Sequence, residues 1–447
     1  MVRLLLASSV VFAQVALAAP PVLRWGCDAQ GGAPYVFQDP REPTRLVGFE
    51  VEVAQAVAQQ LGTTARPVHG PWATLIELLK RGDFDVALNG IEVTDDKKHE
   101  VRLSRPYFAA AEVLTIRAGD AAAPRTLQAL TGRRVGTLPG SLAERLAKSA
   151  GADVRTYEGG QDEVYDDLKL GRTDAVLLDA PIARFYADID PAFETLPTSL
   201  GTVTYAMALR PEDVERATAI DAAIDALSRD GTLERIYRTW GVWNAETARL
   251  FGVDVGSTSH SPEFERWRSA VGVLPPFVER LRDRYPSFIP VLAQGAGLTL
   301  LVSMCAMALA MVLGLLIASA RRFGPWPLRA LATAYVELFR GTPLLIQLVT
   351  LYFGLPEIGV TLDPFIAGVT ALGLNYAAAE AENYRAGLSS VPSGQLEAAA
   401  VLGLGRWATL RHVLVPQALR VSLPPMTNDF IALLKDSSLV SVVTLTE

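Results

Sequence analysis

The side chains that most often perform chemistry are sparse in this chain and form no recognisable catalytic pattern. Its histidines are scattered, with neither the spacing of a metal site nor a nucleophile beside them. The four are His69, His99, His260 and His412. The adjacent carboxylates Asp166 and Asp167 fall on a predicted helix, where a solvated face accounts for them. We therefore predict no catalytic residue and no metal site.

Nucleotide chemistry is also missing from the sequence. No Gly-x-x-x-x-Gly-Lys-Ser/Thr phosphate loop occurs, so the chain cannot itself hydrolyse ATP. The net charge of −7 gives no basis for nucleic-acid binding, which requires clustered Lys and Arg. No cofactor is predicted, and ATP would have to be used by a partner.

The composition indicates a chain that is partly soluble and partly in a membrane. Of 447 residues, 50% are apolar and only 20% are charged. This length allows roughly three compact units at about 150 residues each. The two cysteines, Cys27 and Cys305, exclude a disulfide-rich scaffold.

Residues 1–18 have the pattern of a secretory signal peptide. Arg3 precedes a short apolar run, and Ala16-Leu17-Ala18 supplies small residues at the cleavage position. An uncleaved membrane anchor is the alternative. Export would place the following segment, residues 19–243, outside the cytoplasm.

Residues 19–243 have the pattern of a soluble α/β domain. Short apolar runs such as Asp174-Ala175-Val176-Leu177-Leu178 have the length of strands, and helical patterns such as 50–61 and 162–170 lie between them. Alternating strands and helices predict parallel sheets packed between helices.

The βα pattern falls into two blocks, which predicts two lobes. One lobe is expected over about 20–110 and 210–243, and the other over about 118–200. Residues 112–117 and 202–209 are the expected crossing strands between them. A chain that leaves one lobe, builds a second and returns makes a hinged receptor with its site in the cleft.

The remainder of the chain is predicted to be a linker followed by an all-α transmembrane domain. Residues 244–284 contain a Gly/Ser/Thr/His stretch and a charged piece, which favours a linker. The segment 285–320 then carries no charge over thirty-six residues, enough to span a bilayer as a helix. Three further spans are expected within 285–447, at about 341–356, 364–379 and 421–435.

The charges between these spans predict the orientation. Arginines are concentrated in 321–340 and 385–420, whereas 355–365 has no Lys or Arg. The positive-inside rule places the arginine-rich segments in the cytoplasm and the N-terminal region outside. We expect a multi-pass protein of the bacterial inner (plasma) membrane with its N-terminal domain in the periplasm, and Cys27 and Cys305 in different phases.

One predicted cytoplasmic segment carries the most specific motif. Gly394-Gln395-Leu396-Glu397-Ala398-Ala399-Ala400-Val401-Leu402-Gly403 resembles the EAA loop of ABC-importer permeases in the polar amino-acid (histidine/glutamine-type) subfamily. Small alanines on one helix face can dock closely into a groove of another protein, and Gly403 can end the helix. The expected coupling residues are Gly394, Glu397, Ala398, Ala399 and Gly403.

Two further segments, 335–345 and 433–439, resemble signatures of the same subfamily, so the resemblance covers roughly 287–447. It implies a second permease subunit, as a homodimer or a heterodimer, and a cytoplasmic ABC ATPase dimer. Members usually continue beyond the position of Glu447 with one more apolar span. We therefore expect a fragment, or a permease without its last helix.

Residues 22–243 resemble the family-3 periplasmic solute-binding proteins. The matching segments, in the family's order, are 23–28, Leu46-Val47-Gly48-Phe49-Glu50, Pro71-Trp72-Ala73-Thr74-Leu75, Gly82-Asp83-Phe84-Asp85-Val86, Ser104-Arg105-Pro106-Tyr107-Phe108 and Gly231-Thr232-Leu233. The resemblance implies a receptor for a small polar solute, fused to its own permease. Fusion raises the receptor's effective concentration at the permease.

The same resemblance implies ligand-binding positions. Asp179 matches the carboxylate that receives the ligand's α-ammonium group, and a helix N-cap is its alternative role. Trp72 matches an aromatic residue that covers the ligand side chain, and it could equally belong to the core. The positions of Asn89, Gly90 and Ser141 match donors around the ligand's carboxylate.

Other positions depart from the family's pattern. Lys97 stands where an arginine usually clamps the carboxylate, and lysine lacks the two-pronged guanidinium. Glu92 replaces a small hydroxyl residue; it could pair with Lys97, receive a cationic group of the substrate, or form a surface ion pair. The segment ending at Tyr35 is one residue longer than usual and keeps that single aromatic ring.

Three functions remain open at this stage. The first is the binding and permease component of an ABC importer for an amino acid or a related polar solute. The second is a ligand-gated channel of the glutamate-receptor type, which would require a carbonyl-lined pore loop that the sequence lacks. The third is a membrane-tethered enzyme on the binding fold, which leaves 321–447 unexplained. We favour the first.

Overall fold

The computed structural model describes residues 21–29, 32–157, 160–256, 261–271, 278, 282 and 285–443. The predicted signal peptide, residues 1–18, lies outside the described residues. The strands are β1 (Val22–Cys27), β2 (Phe37–Gln38), β3 (Leu46–Val47), β4 (Thr64–His69), β5 (Val86–Ala87), β6 (Arg102–Leu103), β7 (Phe108–Arg117), β8 (Arg134–Thr137), β9 (Asp153–Thr156), β10 (Ala175–Asp179), β11 (Phe193–Thr195), β12 (Gly201–Tyr205) and β13 (Ala208–Leu209).

Seventeen described helices of the α type accompany these strands. Those of the N-terminal half are α1 (Phe49–Gln60), α2 (Leu75–Arg81), α3 (Asp95–Glu100), α4 (Leu142–Ser149), α5 (Gln161–Lys169), α6 (Ala180–Tyr186), α7 (Val214–Arg229), α8 (Thr232–Thr239), α9 (Ala245–Phe251) and α10 (Pro262–Val271). Those of the C-terminal half are α11 (Ile289–Phe323), α12 (Trp326–Gly341), α13 (Leu344–Val349), α14 (Pro364–Ser389), α15 (Ser393–Val401), α16 (Arg406–Thr409) and α17 (Val415–Asp436).

The N-terminal half consists of two α/β lobes, which confirms the predicted fold class. Lobe 1 has the strand order β4-β1-β5-β13-β6, with β1 parallel to both β4 and β5. Lobe 2 has the order β11-β7-β10-β8-β9, and β12 also pairs with β7. The lobe 2 sheet is mixed rather than parallel throughout, as β10 runs parallel to β8 and antiparallel to β7. All five residues of β10 are buried, as expected for an inner strand of a sheet that is covered on both faces.

The chain crosses between the lobes at two adjacent strands. It leaves lobe 1 before β7 and returns after β12, and these strands run antiparallel with Phe108 opposite Tyr205. The Tyr107 N–H donates to the Tyr205 carbonyl at 3.0 Å, and the Ser104 N–H donates to the Met207 carbonyl at 2.8 Å. Two side-by-side crossings form the hinge that the sequence pattern predicted.

Two helices lie within the range 244–284, where the composition indicated a linker, and both pack on the binding half. Trp267 of α10 is buried against the rings of Phe37 and Phe185, and its Nε1 donates to the Phe185 carbonyl at 3.0 Å. Thr247 of α9 is also buried, with its hydroxyl donating to the Ala109 carbonyl at 2.6 Å. The compact unit thus continues through Val271.

The C-terminal half is helical, with α11, α14 and α17 packed together. Within the described part, α11 is the one helix that is both long and apolar enough to cross a bilayer by itself. The segments Trp326–Gly341 and Leu344–Ile358 meet that standard only together, across a bend of 107°. The bend falls at Pro343, which has an extended backbone (φ −59°, ψ 138°) and therefore interrupts the helix.

The last two predicted spans coincide with helices that contain polar or helix-disrupting residues. Residues 364–379 form the first part of α14, which continues through Glu380 and Glu382. Residues 421–435 lie in α17, which contains Pro424 and Pro425. Charged groups on α14 lower the apolar character of the helix as a whole, so length and composition alone do not identify it as a span.

Candidate ligand-binding site

A cavity of about 320 Å³ lies between the two lobes. Its volume falls at the small end of the range of ligand pockets, roughly 300–1,000 Å³. Seven of the eight predicted ligand-binding residues line it: Tyr35, Trp72, Asn89, Gly90, Glu92, Ser141 and Asp179. Lys97 does not. The fold therefore gathers residues that are up to 144 positions apart in the chain.

Asp179 lies at the centre of this arrangement. It ends β10 and directly precedes α6, yet its side chain does not cap that helix. Instead, Oδ2 accepts a hydrogen bond from the hydroxyl of Tyr205 at 2.7 Å and another from Tyr35. Tyr35 belongs to lobe 1 and Tyr205 to the hinge, so this lobe 2 carboxylate is contacted from the opposite lobe and from the hinge.

The surroundings of Asp179 alter its acidity. Burial, together with the negative charge of Glu92, raises its pKa to about 6 against the opposing effect of the Tyr35 and Tyr205 hydroxyls. A cationic ligand group beside Asp179 would favour the ionised carboxylate. A positively charged ligand group would therefore be stabilised beside Asp179.

The two predicted aromatic residues both line the cavity. Tyr35 is buried, and its ring centroid lies 4.9 Å from that of Phe49. Trp72 is partly exposed, with its Nε1 donating to the Asn89 carbonyl at 3.0 Å. Because that bond fixes the indole plane, Trp72 presents a defined apolar wall to the cavity. The Lys97 ammonium lies 5.8 Å from the Trp72 ring centroid.

Three predicted donors or acceptors already have partners within the protein. The Asn89 Oδ1 accepts from the Asp28 N–H at 3.0 Å, and the Gly90 N–H donates to Glu50 Oε1 at 2.8 Å. Ser141 caps α4: its Oγ accepts from the Glu144 N–H at 3.1 Å. These groups therefore shape the wall of the cavity.

Glu92 joins the lobes, and it does so through Arg145. Its Oε2 accepts from the Arg145 guanidinium at 2.9 Å, and its Oε1 accepts from the Leu142 N–H at 2.8 Å. The carboxylate thus occupies the N terminus of α4, where backbone N–H groups and the helix dipole favour an anion. Of the roles open at the sequence level, pairing of Glu92 with Lys97 has no hydrogen bond or ion pair in the structure.

Sequence reasoning missed several residues at the site, among them Glu112 and Tyr205, which line the cavity, and Arg145, which pairs with Glu92. Glu112 is buried on β7, lines the cavity, and has its pKa raised well above the usual value by burial and by the negative charge of Asp179. The sequence pattern could have identified Glu112, because a glutamate within an apolar run must be buried or face a cleft. That run is Phe108-Ala109-Ala110-Ala111-Glu112-Val113-Leu114. Arg145 and Tyr205 carried no comparable signal.

Among the described residues, no group of three or more His, Cys, Asp or Glu side chains is placed to hold a metal ion. Cys27 is buried, and burial raises the pKa of its thiol. His69 lines the cavity, where its Nδ1 accepts from the Ala29 N–H at 3.1 Å.

The predicted coupling segment forms the short helix α15, which contains Gly394, Glu397, Ala398 and Ala399. Gly403 follows it with a left-handed φ of +75°. The Gly403 N–H donates to the Ala400 carbonyl and the Leu404 N–H to the Ala399 carbonyl, both at 3.0 Å. This is the Schellman arrangement, so the chain turns back after the helix as expected. Four apolar side chains stand exposed beside the turn: Val401, Leu402, Leu404 and Trp407.

Two family models match the chain in separate regions. Residues 23–242 match the bacterial extracellular solute-binding proteins, family 3. Residues 310–446 match the binding-protein-dependent transport system inner membrane component.

Curated relatives match the helical region. The L-cystine transport system permease protein TcyB of Bacillus subtilis is 43% identical over 161 residues, which are 36% of this chain and 69% of the relative. The glutamine transport system permease protein GlnP of Escherichia coli is 41% identical over 161 residues, 36% of this chain and 74% of the relative. The arginine transport system permease protein ArtQ of Bacillus subtilis is 37% identical over 156 residues, which are 35% of this chain and 71% of the relative.

Solved structures resemble the binding half. An ancestral arginine-binding protein bound to glutamine is 30% identical and covers 50% of this chain and 100% of its own, with a TM-score of 0.46. The P235GK mutant of ArgBP from T. maritima is 28% identical, and the match covers 49% of this chain and 95% of that structure, also with a TM-score of 0.46.

Proposed function

The chain belongs to the family of binding-protein-dependent transport system inner membrane components and carries its own family-3 solute-binding domain, and we propose how these two parts cooperate. The protein is the permease of an amino-acid ABC importer with a fused receptor. The channel and the tethered enzyme are not favoured, because the relatives of the helical region are transport permeases.

In this proposal the cleft binds a polar amino acid or a related small solute through Asp179. The observation that carries it is the position of the Asp179 carboxylate: it lines the cavity, leaves α6 uncapped, and accepts hydroxyl groups from lobe 1 and from the hinge. A buried carboxylate with only neutral donors can still gain a cationic partner. The α-ammonium group of the substrate is that partner.

The other site residues have supporting roles in the proposal. Trp72 and Tyr35 flank the substrate, Asn89 and Gly90 hold the wall of lobe 1, and Ser141 holds the start of α4. Glu92 bridges the lobes. Lys97, outside the cavity, influences the site through Trp72 and through its charge.

The ligand assignment is tested by calorimetry on the full chain in lipid nanodiscs. We expect binding of at least one proteinogenic amino acid, and a loss of roughly 30-fold or more in affinity for Asp179→Asn, since one partner of a buried charge pair is removed. Asp153→Asn, an exposed carboxylate of the same lobe, is the matched control. Undiminished binding by Asp179→Asn contradicts the assignment.

We further propose that a cytoplasmic ABC ATPase dimer drives transport and docks on α15. Gly394, Glu397, Ala398 and Ala399 lie on that helix, and Leu402 beside it is 78% exposed. Val401 and Trp407 nearby are also exposed, and clustered exposed apolar side chains are typical of an interaction site. A second permease subunit, identical or different, completes the pathway through the bacterial inner membrane, and the receptor domain lies in the periplasm.

Transport then proceeds in four steps. Substrate stabilises the closed lobes, and the closed receptor engages the outer face of the helical domain. The partner ATPases close on ATP, and α15 transmits that movement to the membrane helices. The substrate is released inward.

The docking surface is tested by purifying the complex through a tag on this chain and measuring its ATP hydrolysis. Leu402→Asp places a charge in the proposed apolar contact and should abolish co-purified hydrolysis. The control is Val214→Asp, which places the same charge at an exposed residue of the binding half. Leu292 is also exposed, but it lies in α11 and is therefore unsuitable. Equal hydrolysis in all three preparations contradicts docking at α15.

A further inference from the structure

A second buried carboxylate, that of Glu112, stands beside Asp179. Glu112 on β7 lies directly opposite Asp179 on β10, so both side chains leave the sheet on the same face, with Cβ atoms roughly 4.5–5.5 Å apart. Glu112 is 2% exposed and lines the cavity. Its Oε2 is buried without a hydrogen-bond partner among the described residues. A buried polar atom in that state costs free energy until a donor reaches it.

The charges around the cavity are predominantly negative. Four carboxylates line it, and no Lys or Arg does among the lining residues that the structure describes. The four are Asp28, Glu92, Glu112 and Asp179. Glu92 has the cationic partner Arg145, whereas the partners of Asp179 are neutral hydroxyl groups. A cationic group that enters therefore meets carboxyl groups that no described lining Lys or Arg pairs with, and its charge favours their ionised form.

The position most suited to an anionic group is already occupied. The N terminus of α4 would attract a carboxylate, but Glu92 from lobe 1 accepts the Leu142 N–H there and pairs with Arg145. An internal carboxylate thus takes the place that a ligand's carboxylate would use. What remains for the ligand is a wall that favours cations.

Building on the proposed function, we propose that the cleft selects solutes with two positively charged nitrogen groups, one held by Asp179 and the second by Glu112. Glu112 is then a specificity-determining residue. Trp72, Leu178 and Ile182 also line the cavity and can pack against the methylene groups between the two charges. This rests on the assignment of Asp179.

The selectivity follows from the cost of a buried carboxyl group that lacks a hydrogen-bonding or cationic partner. An ammonium or guanidinium group beside Glu112 pairs with the carboxylate, and both groups are then compensated. A neutral side chain would leave Glu112 buried and unpaired, so it is rejected. Basic amino acids and the diamines formed by their decarboxylation share this chemistry.

The test compares ligands that differ by one group. L-lysine, L-norleucine (the same carbon chain without the ε-ammonium) and cadaverine (lysine without its carboxylate) are titrated into the full chain in nanodiscs. We expect lysine or cadaverine to bind about 30-fold or more tightly than norleucine. If lysine binds more tightly than cadaverine the substrate is a basic amino acid, and in the reverse case it is a diamine.

Glu112→Gln should lose about 30-fold or more in lysine affinity and leave norleucine affinity unchanged. Glu163→Gln, an exposed glutamate on α5, should change neither. Without ligand, Glu112→Gln should melt at the same temperature or roughly 2–4 °C higher, since it removes an unpaired buried carboxylate. Should that variant fail to fold, Glu112→Asp keeps the charge and must keep the preference for lysine over norleucine.

The failures of the two proposals differ. Norleucine or glutamine that binds as tightly as lysine, in a manner dependent on Asp179, overturns the role of Glu112 and leaves the proposed function standing. Lysine affinity that is unchanged in Glu112→Gln also overturns the role of Glu112 and leaves the proposed function standing. An absence of binding by every amino acid and diamine overturns both.

Discussion

The guanidinium carbon of Arg81 lies 3.4 Å from the centroid of the Tyr352 ring. Arg81 closes α2 in lobe 1, and Tyr352 belongs to the helical half, so this contact joins the two domains. Arg81 also donates to the Tyr352 carbonyl at 2.8 Å and to that of Leu362. Tyr352 and Leu362 lie next to or within 355–365, the segment without Lys or Arg. The charge pattern places this segment on the outer side of the membrane, which is the side predicted for the receptor.

Arg81→Ala should uncouple the receptor from the helical domain. The side chain is almost fully buried, and a desolvated cation–π contact contributes about 2 kcal/mol. We expect uptake at low substrate concentration to fall roughly tenfold in proteoliposomes containing the complete transporter. Ligand affinity should not change, because Arg81 does not line the cavity.

Arg66→Ala, at an exposed arginine of the same lobe, is the control for Arg81→Ala and should transport normally. Uptake that is equal in the two variants would show that the Arg81–Tyr352 contact does not support transport.

Glu92→Gln should shift the lobes toward an open arrangement. It removes the ion pair with Arg145 and weakens the bond from the Leu142 N–H. Arg145 is half exposed, so the loss is expected to be roughly 1–2 kcal/mol, or about a 5–30-fold change in the ratio of closed to open lobes. Distances between spin labels on exposed positions of the two lobes would report it.

Lys97→Gln is the informative comparison for Glu92→Gln, because pairing with Lys97 was one of the roles that the sequence left open for Glu92. Since its ammonium lies 5.8 Å from the Trp72 ring and makes no bond to Glu92, the label distances should barely change. A larger shift for Lys97→Gln than for Glu92→Gln would refute the bridge through Arg145.

Glu50 should make the binding half less stable as the pH rises. Burial raises its folded-state pKa from 4.5 to about 7, against the opposing hydrogen bonds from Tyr107 and from the Gly90 N–H. Between these values the folded protein retains a proton that the unfolded chain has lost, so the free energy of unfolding falls with rising pH, by up to about 3 kcal/mol.

Thermal unfolding at pH 5 and pH 8 measures this effect. Glu50→Gln should reduce the difference in melting temperature between the two conditions, and Glu77→Gln, at an exposed residue of lobe 1, should not. The prediction fails if Glu50→Gln and the unmodified chain show the same pH dependence.

Gly403→Ala should impair coupling to the ATPase. Its φ of +75° is unfavourable for a residue with a Cβ atom, at about 1–2 kcal/mol, although that atom would meet nothing within 4 Å. The turn after α15 should therefore loosen, and less substrate should be imported per ATP hydrolysed. Gly405→Ala, at a position with an ordinary φ of −67° that is equally uncrowded, should preserve the ratio. Identical ratios in both variants would contradict a coupling role for this turn.

The local patterns of the chain were sufficient for its architecture. Alternating βα units predicted the two lobes and their crossing strands, because hydrophobic periodicity reflects which faces each element must bury. The position of Asp179 at the end of a buried strand, and the turn at Gly403, are also local properties. The spans were harder: the chain is helical there, but Pro343 and the acidic residues of α14 depart from an uninterrupted apolar pattern.

The partners in the cleft, by contrast, were decided by tertiary structure. Glu92 stands five residues from Lys97 yet pairs with Arg145, because lobe closure brings the start of α4 to it. Glu112 faces Asp179 because the register of β7 on β10 sets them opposite each other. The sequence alone determined which elements form and in what order. Only the tertiary structure, through the packing of one lobe on the other and the strand register within lobe 2, determined which charged groups meet, since electrostatic and hydrogen-bond partners depend on distance in space.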